Sequence, residues 1–258
     1  MRFHASLTAE AVCWMRAAEA FRRRPLLDDP VARRFLSAPT RALLAARVPT
    51  VGGLANFVVG RHVFMDQAIR QRKTGAQVVI VGAGYDGRPW RLGLDACLVV
   101  DHPATLARRA RKGPPGDGVH VAVDLARVPL GPALDAHGHD PGRPTVWIWE
   151  GVSMYLPQAA VAATLDGFAK RSAPGSQLLM DFWHAVDGEG ARDGLSRLSA
   201  SALHLVGEPI RYGLHPGDTG AVLGRHGFRM VEHGTADVLA ARFGRNVDRS
   251  MHVVHAVI

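Results

Sequence analysis

A chain of 258 residues with 47% hydrophobic composition can bury one full core, and its length suits a single domain with appendages. No apolar run approaches the roughly 20 residues that span a bilayer, and the opening MRFHASLTAEAVCW lacks the charged head and apolar stretch of a signal peptide, so a cytoplasmic enzyme is expected. The net charge of +8 would suit nucleic acid, but the basic residues are almost all arginines spread along the chain, with lysine only at 73, 112 and 170, and no nucleic-acid partner is expected.

Residues 7 to 73 read as helical. Thr8 offers an N-cap before an alanine-rich run to about Arg24, and Asp28 or Asp29 precedes Pro30 at the first position of a second helix. A shorter piece is expected near 39 to 47 and a longer one over 53 to 73. From Gln77 the texture changes to short apolar runs: VVIVGAG (78 to 84), CLVVD (97 to 101), VHVAVDL (119 to 125), TVWIWEG (145 to 151) and QLLMDF (177 to 182). Helical stretches such as 103 to 112 and 157 to 171 separate them, which is the pattern of strands buried on both faces of a parallel sheet. A further helix is expected over 191 to 206 and another over 216 to 226, with closing strands near 228 to 235 and 250 to 258, one of them antiparallel.

The expected fold is therefore a Rossmann-like α/β domain with a seven-stranded, mostly parallel sheet. Residues 1–75 would form an N-terminal helical cap, residues 76–258 the core, and the looser segment 184–215 a lid. Cys13 and Cys97 are too few and too far apart for a disulfide framework and read as small buried hydrophobes; no Cys/His spacing suggests a metal site. The cluster Arg108-Arg109-Ala110-Arg111-Lys112 reads as a solvated helix face.

In an open parallel sheet, ligands sit at the carboxyl ends of the strands where the topology reverses. Those ends carry Gly82-Ala83-Gly84-Tyr85-Asp86-Gly87, Asp101, Asp124 and Glu150. The glycines permit a sharp turn and close ligand approach. Asp101, 19 residues beyond Gly82, is placed to accept from ribose hydroxyls. Asp124 and the Leu125 amide suit an adenine ring, and Glu150 an amino group or the substrate. The string GAGYDG also spells G-x-G-x-x-G, so an NAD(P)-dependent oxidoreductase is the alternative. Against it, Arg88-Pro89-Trp90 implies a turn longer than one in which a helix opens onto a pyrophosphate. S-adenosylmethionine instead needs a carboxylate for its ammonium and a cation for its carboxylate; Arg16, Arg61 and Arg88 are candidates for the cation.

These residues resemble the leucine carboxyl methyltransferase-like family of class I S-adenosylmethionine-dependent methyltransferases, whose bacterial members include many from actinobacteria. The resemblance is carried by Ser6 to Ala17 with Asp29-Pro30, by Arg61 to Asp66 (RHVFMD), by GAGYDGRPWRL at 82 to 92, by Asp101-His102-Pro103-Ala104-Thr105, and by EGVSMYLP from Glu150 to Pro157. It implies that Arg61 holds the cofactor's methionine carboxylate with help from Arg16, that Gly82 lines the cofactor, that Asp101 takes the ribose and Asp124 with Leu125 the adenine, and that Glu150 faces the methionine amino end. Ala83, Gly84, His102 and Gly151 complete the expected cofactor-binding set. Two departures stand out: Gly87 where the family has threonine in D-T-R, and Arg61-His62-Val63 where it has R-T-R.

Transfer of a methyl group is an in-line displacement in which alignment carries much of the catalysis. A carboxylate acceptor is already ionised near neutral pH and needs no base, whereas a hydroxyl would profit from one. His184 is the candidate base, and Tyr155 a candidate donor to the acceptor. The expected activity is O-methylation of a carboxylate, or a hydroxyl, on a small secondary metabolite such as a polyketide acid, with S-adenosylhomocysteine as the other product. A catalytically silent cofactor-binding protein is the third reading, and the sequence leaves homo-oligomerisation open.

Overall fold

The computed structural model describes residues 7–50, 52–94, 96–125, 127–184 and 209–258. In chain order these form α1 (Leu7–Glu19), α2 (Ala32–Phe35), α3 (Ala38–Ala45), α4 (Gly52–Arg70), β1 (Gln77–Val81), α5 (Arg88–Arg91), β2 (Leu98–Asp101), α6 (Pro103–Lys112), β3 (Val119–Ala122), α7 (Leu130–Ala136), β4 (Thr145–Trp149), α8 (Gln158–Ala169), β5 (Gln177–Trp183), α9 (Thr219–Arg225), β6 (Arg229–Gly234), α10 (Ala236–Phe243) and β7 (Met251–Val257). Single 3-10 turns at Ser153–Tyr155 and Pro216–Asp218 precede α8 and α9. The helix expected over 191–206 and most of the expected lid lie outside the described residues.

The strands form one sheet in the order β3-β2-β1-β4-β5-β7-β6. β7 runs antiparallel to both neighbours, lying between β5 and β6. Alternation along each central strand divides two apolar layers, because successive side chains point to opposite faces. Val78, Ile80, Val146 and Ile148 pack on one side, and Val79, Val81, Trp147 and Trp149 on the other. With both faces covered, these strands read as unbroken apolar runs rather than as alternating ones.

α4 belongs to the first of these layers. Phe57, Phe64, Met65, Ala68 and Ile69 join the β1 and β4 residues there, while Ala55 and Val58 on the same helix pack against Met15 of α1, so α4 links the cap to the core. The cap proper is α1 to α3, with its own small core of Cys13, Ala17, Phe35, Leu36 and Leu44 closed by Tyr85. α1 stops at Glu19, short of Arg24, because the Glu19 carboxylate turns back to accept from the Leu26 amide at 2.8 Å and to pair with Arg22 and Arg245. Pro30 lies in the turn before α2. Both cysteines are buried free thiols, each pushed up to about 12 by burial.

The helix α6 corrects the expectation of a solvated basic face. Arg109 is fully buried, pairs with Asp117 at 2.6 Å and lies over the Trp90 ring; Arg108 and Lys112 donate to the Phe35 carbonyl, and Arg108 also pairs with Glu10. Residues 105, 108, 109 and 112 share one helical face, and that face clamps the cap onto the sheet.

At the far end of β7, His252 is buried. Its Nε2–H donates to the Leu214 carbonyl, and its Nδ1 accepts from Nε2 of His233, each at 3.0 Å. Only a neutral ring does both, and burial pushes its pKa down to about 4. The unfolded chain takes up this proton near about 6.5, so its contribution is complete above that pH and is lost progressively as pH falls toward the folded value; the span amounts to about 3 kcal/mol. Thermal melts should show Tm declining from neutral pH downward through this window, ahead of any carboxylate effect, and declining less steeply in His252→Gln. Equal slopes in the two proteins would remove the assignment.

Candidate active site

The strand order reverses between β1 and β4, which opens a crevice at their carboxyl ends. A cavity of about 440 Å³ lies there. Its lining includes Arg16, Arg61, Gly82, Ala83, Gly84, Asp101, His102, Asp124, Leu125, Glu150, Gly151 and Tyr155, so every expected cofactor residue and the expected tyrosine come together. His184 does not join them. It lies outside the lining, against the His215 ring, with Nδ1 at 3.4 Å from the Arg249 carbonyl, because β5 continues through Trp183 and carries it toward the β7 side. The expectation that His184 acts as base is corrected accordingly.

The glycine turn is the floor of the cavity. Gly82 and Gly84 have φ of +66° and +49°, in the region that favours glycine. A Cβ at Gly82 would also stand 2.3 Å from Cγ2 of Val152, so the β1 and β4 loops touch through that missing side chain. Four amides of this turn are already committed. Ala83 donates to the Val100 carbonyl, Gly84 to Asp101 Oδ2 at 2.6 Å, Asp86 to the Ala83 carbonyl and Arg88 to Asp86 Oδ1. α5 opens only at Arg88, after the motif and not inside it. A pyrophosphate needs free amides at a helix N-terminus, and this turn spends four of its amides internally before the helix opens.

Asp101 ends β2 and braces the turn. Its second oxygen accepts from the His102 amide at 2.6 Å, while His102 caps α6 by accepting from Ala104. Burial pushes the Asp101 carboxyl above the usual carboxylate range, against the pull of these two amides. Beyond β3, Asp124 and Leu125 form the opposite rim, with Arg127 3.4 Å from the Asp124 carboxylate.

The β4 side is an ion-pair network. Glu150 receives Arg61 Nε at 2.9 Å, Arg88 at 2.7 Å and His62 Nδ1 at 3.1 Å. Arg88, fully buried, also holds Asp66 at 2.7 Å and Asp86 at 2.6 Å, and Arg91 takes the other oxygen of Asp66. Arg61 pairs in addition with Asp181 on β5, whose other oxygen accepts from the Gly151 amide at 2.6 Å. Burial alone would raise the Glu150 carboxyl; Arg88, His62 and Arg61 together hold it well below the usual range. His62, one of the two departures from the resembled family, is buried with its pKa lowered and serves here as a neutral donor to Glu150. Four carboxylates then face three guanidinium groups, leaving this wall formally negative.

Arg16 lines the cavity and also engages the cap. It pairs with Asp29 at 3.0 Å and donates to the Tyr85 carbonyl at 2.6 Å, which fixes the turn from the cap side. The Asp29 carboxylate occupies the space beside Gly87, where a Cβ would come within 2.6 Å of Oδ1. That explains the departure at Gly87: a threonine there would displace the Arg16–Asp29 pair. Asp181, which accepts from the Gly151 amide, Arg109, which donates to the Gly84 carbonyl, and Arg211, in the lining, are residues around the cavity that strand-end reading missed. An acid inside the apolar run QLLMDF was the available signal for Asp181, and the i, i+4 spacing from Thr105 the signal for Arg109.

A family model described as leucine carboxyl methyltransferase matches residues 9–169. Among curated proteins, the chain is 32% identical to one of Streptomyces avermitilis described as an S-adenosyl-L-methionine-dependent methyltransferase, covering 93% of this chain and 88% of that one. A similarly described protein of Rhodococcus jostii is 33% identical with the same coverage, and one of Frankia alni is 35% identical over 66% of each chain. Two solved structures share the fold: a protein of Thermobifida fusca assigned as a methyltransferase (TM-score 0.62, 16% identity, 96% of this chain and 93% of that one) and a DUF574-family protein of Streptomyces avermitilis (TM-score 0.58, 16% identity, 98% and 97%).

Proposed function

Because the chain belongs to the leucine carboxyl methyltransferase family and is an S-adenosylmethionine-dependent methyltransferase, we propose that it methylates a carboxylate oxygen on a small acid, such as a polyketide-like secondary metabolite. The observation that carries this reading is the state of the titratable groups around the cavity. Glu150 and Asp86 are held ionised by arginines, which makes them poor bases; the Asp101 oxygens already accept two amides; the His102 ring caps α6. Asp124 stands on the opposite rim, paired with Arg127, so among the described lining residues beside Tyr155 no imidazole or carboxylate is left to deprotonate a hydroxyl, and an acceptor that arrives ionised is favoured.

The donor set fits S-adenosylmethionine. Asp101 is the acceptor for ribose hydroxyls, Asp124 and the Leu125 amide address the adenine, Glu150 and the formally negative β4 wall suit an ammonium and a sulfonium, and Arg61 suits a carboxylate. When bound, S-adenosylmethionine supplies a methyl carbon to which an acceptor oxygen's lone pair bonds as the carbon–sulfur bond breaks, its electron pair staying on sulfur and no proton being exchanged when the acceptor is a carboxylate. The chain's own contribution is alignment, with Tyr155 as the proposed donor to the acceptor; the 3-10 turn that carries it is supported by the Ser153 hydroxyl, which donates to the Asp181 carbonyl at 2.8 Å.

Incubation with methyl-labelled S-adenosylmethionine and a panel of small acids and matched alcohols tests this. The expected product is a methyl ester, its label released as methanol by mild alkali. Alkali-stable label on hydroxyl oxygen would overturn the carboxylate reading, and absence of any turnover beside intact S-adenosylhomocysteine binding would favour a silent binding protein.

A further inference from the structure

The arginines that line the cavity are not equivalent. The Arg16 guanidinium is engaged by Asp29 and the Tyr85 carbonyl, and that of Arg61 by Glu150 and Asp181. Arg211 lines the same cavity with an exposed side chain that makes no hydrogen bond or ion pair to any described residue. Its backbone, by contrast, is fixed. The Arg211 and Tyr212 amides both donate to the Met154 carbonyl, at 2.7 and 3.2 Å, which seats Arg211 beside the turn carrying Tyr155. Three residues on, the Leu214 amide donates to the Trp183 carbonyl at 2.8 Å and the Leu214 carbonyl accepts from His252. A strap anchored through its backbone thus presents a guanidinium with no partner among the described residues to a cavity whose other lining arginines are engaged by carboxylates.

Arg211 also lines a second hollow of about 690 Å³, between α8 and α9, so it stands where the cofactor cavity meets open space large enough for the body of an acceptor. A guanidinium is planar and always charged, and its fork matches a carboxylate bidentately while leaving each oxygen a further lone pair. We infer that Arg211 is a specificity-determining residue that selects acidic acceptors by holding their carboxylate beside Tyr155. The inference rests on the carboxylate reading above.

The test is calorimetry on the full chain loaded with S-adenosylhomocysteine, using phenylacetate against phenylacetamide and hexanoate against hexanamide as probes. The unmodified protein should prefer each acid by about tenfold or more, the scale of one charge-assisted pair. Arg211→Gln should lose that preference with its S-adenosylhomocysteine affinity unchanged, and Arg211→Lys should keep part of it. Absence of an acid preference in the unmodified protein, a preference kept in Arg211→Gln, or an equal loss of S-adenosylhomocysteine affinity would each overturn the inference. Methyl-ester formation is read separately. Esters formed with an unchanged KM in Arg211→Gln sink the role of Arg211 alone, whereas Arg211-dependent acid binding with label delivered to hydroxyl oxygen sinks the ester reading alone.

Discussion

Replacing Arg88 with methionine should abolish the folded site, lowering Tm by more than about 10 °C or leaving the protein insoluble. Arg88 has no exposed surface and simultaneously neutralises Asp66, Asp86 and Glu150, with a further donation to the His62 carbonyl at 3.2 Å. Removing one member of a buried pair costs about 3–5 kcal/mol, and here Asp86 loses its ion-pair partner outright while Asp66 and Glu150 each lose one of the cations that hold them. Domains of this size lose about 2–4 °C per kcal/mol, and total stability is only about 5–15 kcal/mol. Arg88→Lys should fall between, since a point charge cannot span the three carboxylates that the guanidinium fork reaches. Acid separates this cause from a simple packing defect. In the unmodified protein, Asp66 is held at about 2 by Arg88 against its burial, so its contribution is lost as pH falls below the ordinary carboxylate range toward that value. Without Arg88, Asp86 keeps the burial that raises its carboxyl and loses the cation that lowers it most, so the variant should lose less stability than the original as pH falls, or gain some. Parallel slopes in the two proteins, or a Tm within about 5 °C of the original, would show that the network does not carry the site.

The fold was legible because its signals are local and repeated. The unalternated runs at 78–81, 98–101 and 145–149 can satisfy both faces only inside a covered parallel sheet, and the helix at Pro103–Lys112 begins at the proline where the sequence placed it. The short helices Leu130–Ala136 and Ala236–Phe243 were not legible, since seven or eight residues give barely two turns of periodicity. The lining of the cavity was readable from strand ends, but the division of labour within it was not. Arg16, Arg61 and Arg88 look alike in sequence, and only the positions of Asp29, Glu150, Asp66 and Asp86 decide which is a brace, which faces the cavity and which is buried. His184 shows the converse limit. A histidine just past a strand end appears well placed until the strand's own length carries it beyond the crevice.

Asp101→Ala should separate binding from folding in the opposite sense to the Arg88 variants. Asp101 sits partly exposed at the rim, and its burial already works against its charge, so losing the carboxylate relieves a desolvation cost while freeing the Gly84 and His102 amides. Those opposed effects should leave Tm within a few degrees. Cofactor affinity should not survive so well. A charged acceptor is worth about 1.5–3 kcal/mol per hydrogen bond, and two ribose hydroxyls would lose theirs together while the Gly84 turn loses its brace, so S-adenosylhomocysteine should bind about 100-fold or more weakly by calorimetry. Asp101→Asn should recover little, because its single oxygen can serve only one of the two amides and its NH2 must confront the other. Since the ionised form is the one that accepts, and burial raises this carboxyl, affinity in the unmodified protein should begin to fall on acidification at a higher pH than an ordinary aspartate would dictate, and that inflection should vanish in Asp101→Asn. An affinity within about fivefold of the original in Asp101→Ala would mean that Asp101 only fixes the turn, and that the ribose is held elsewhere.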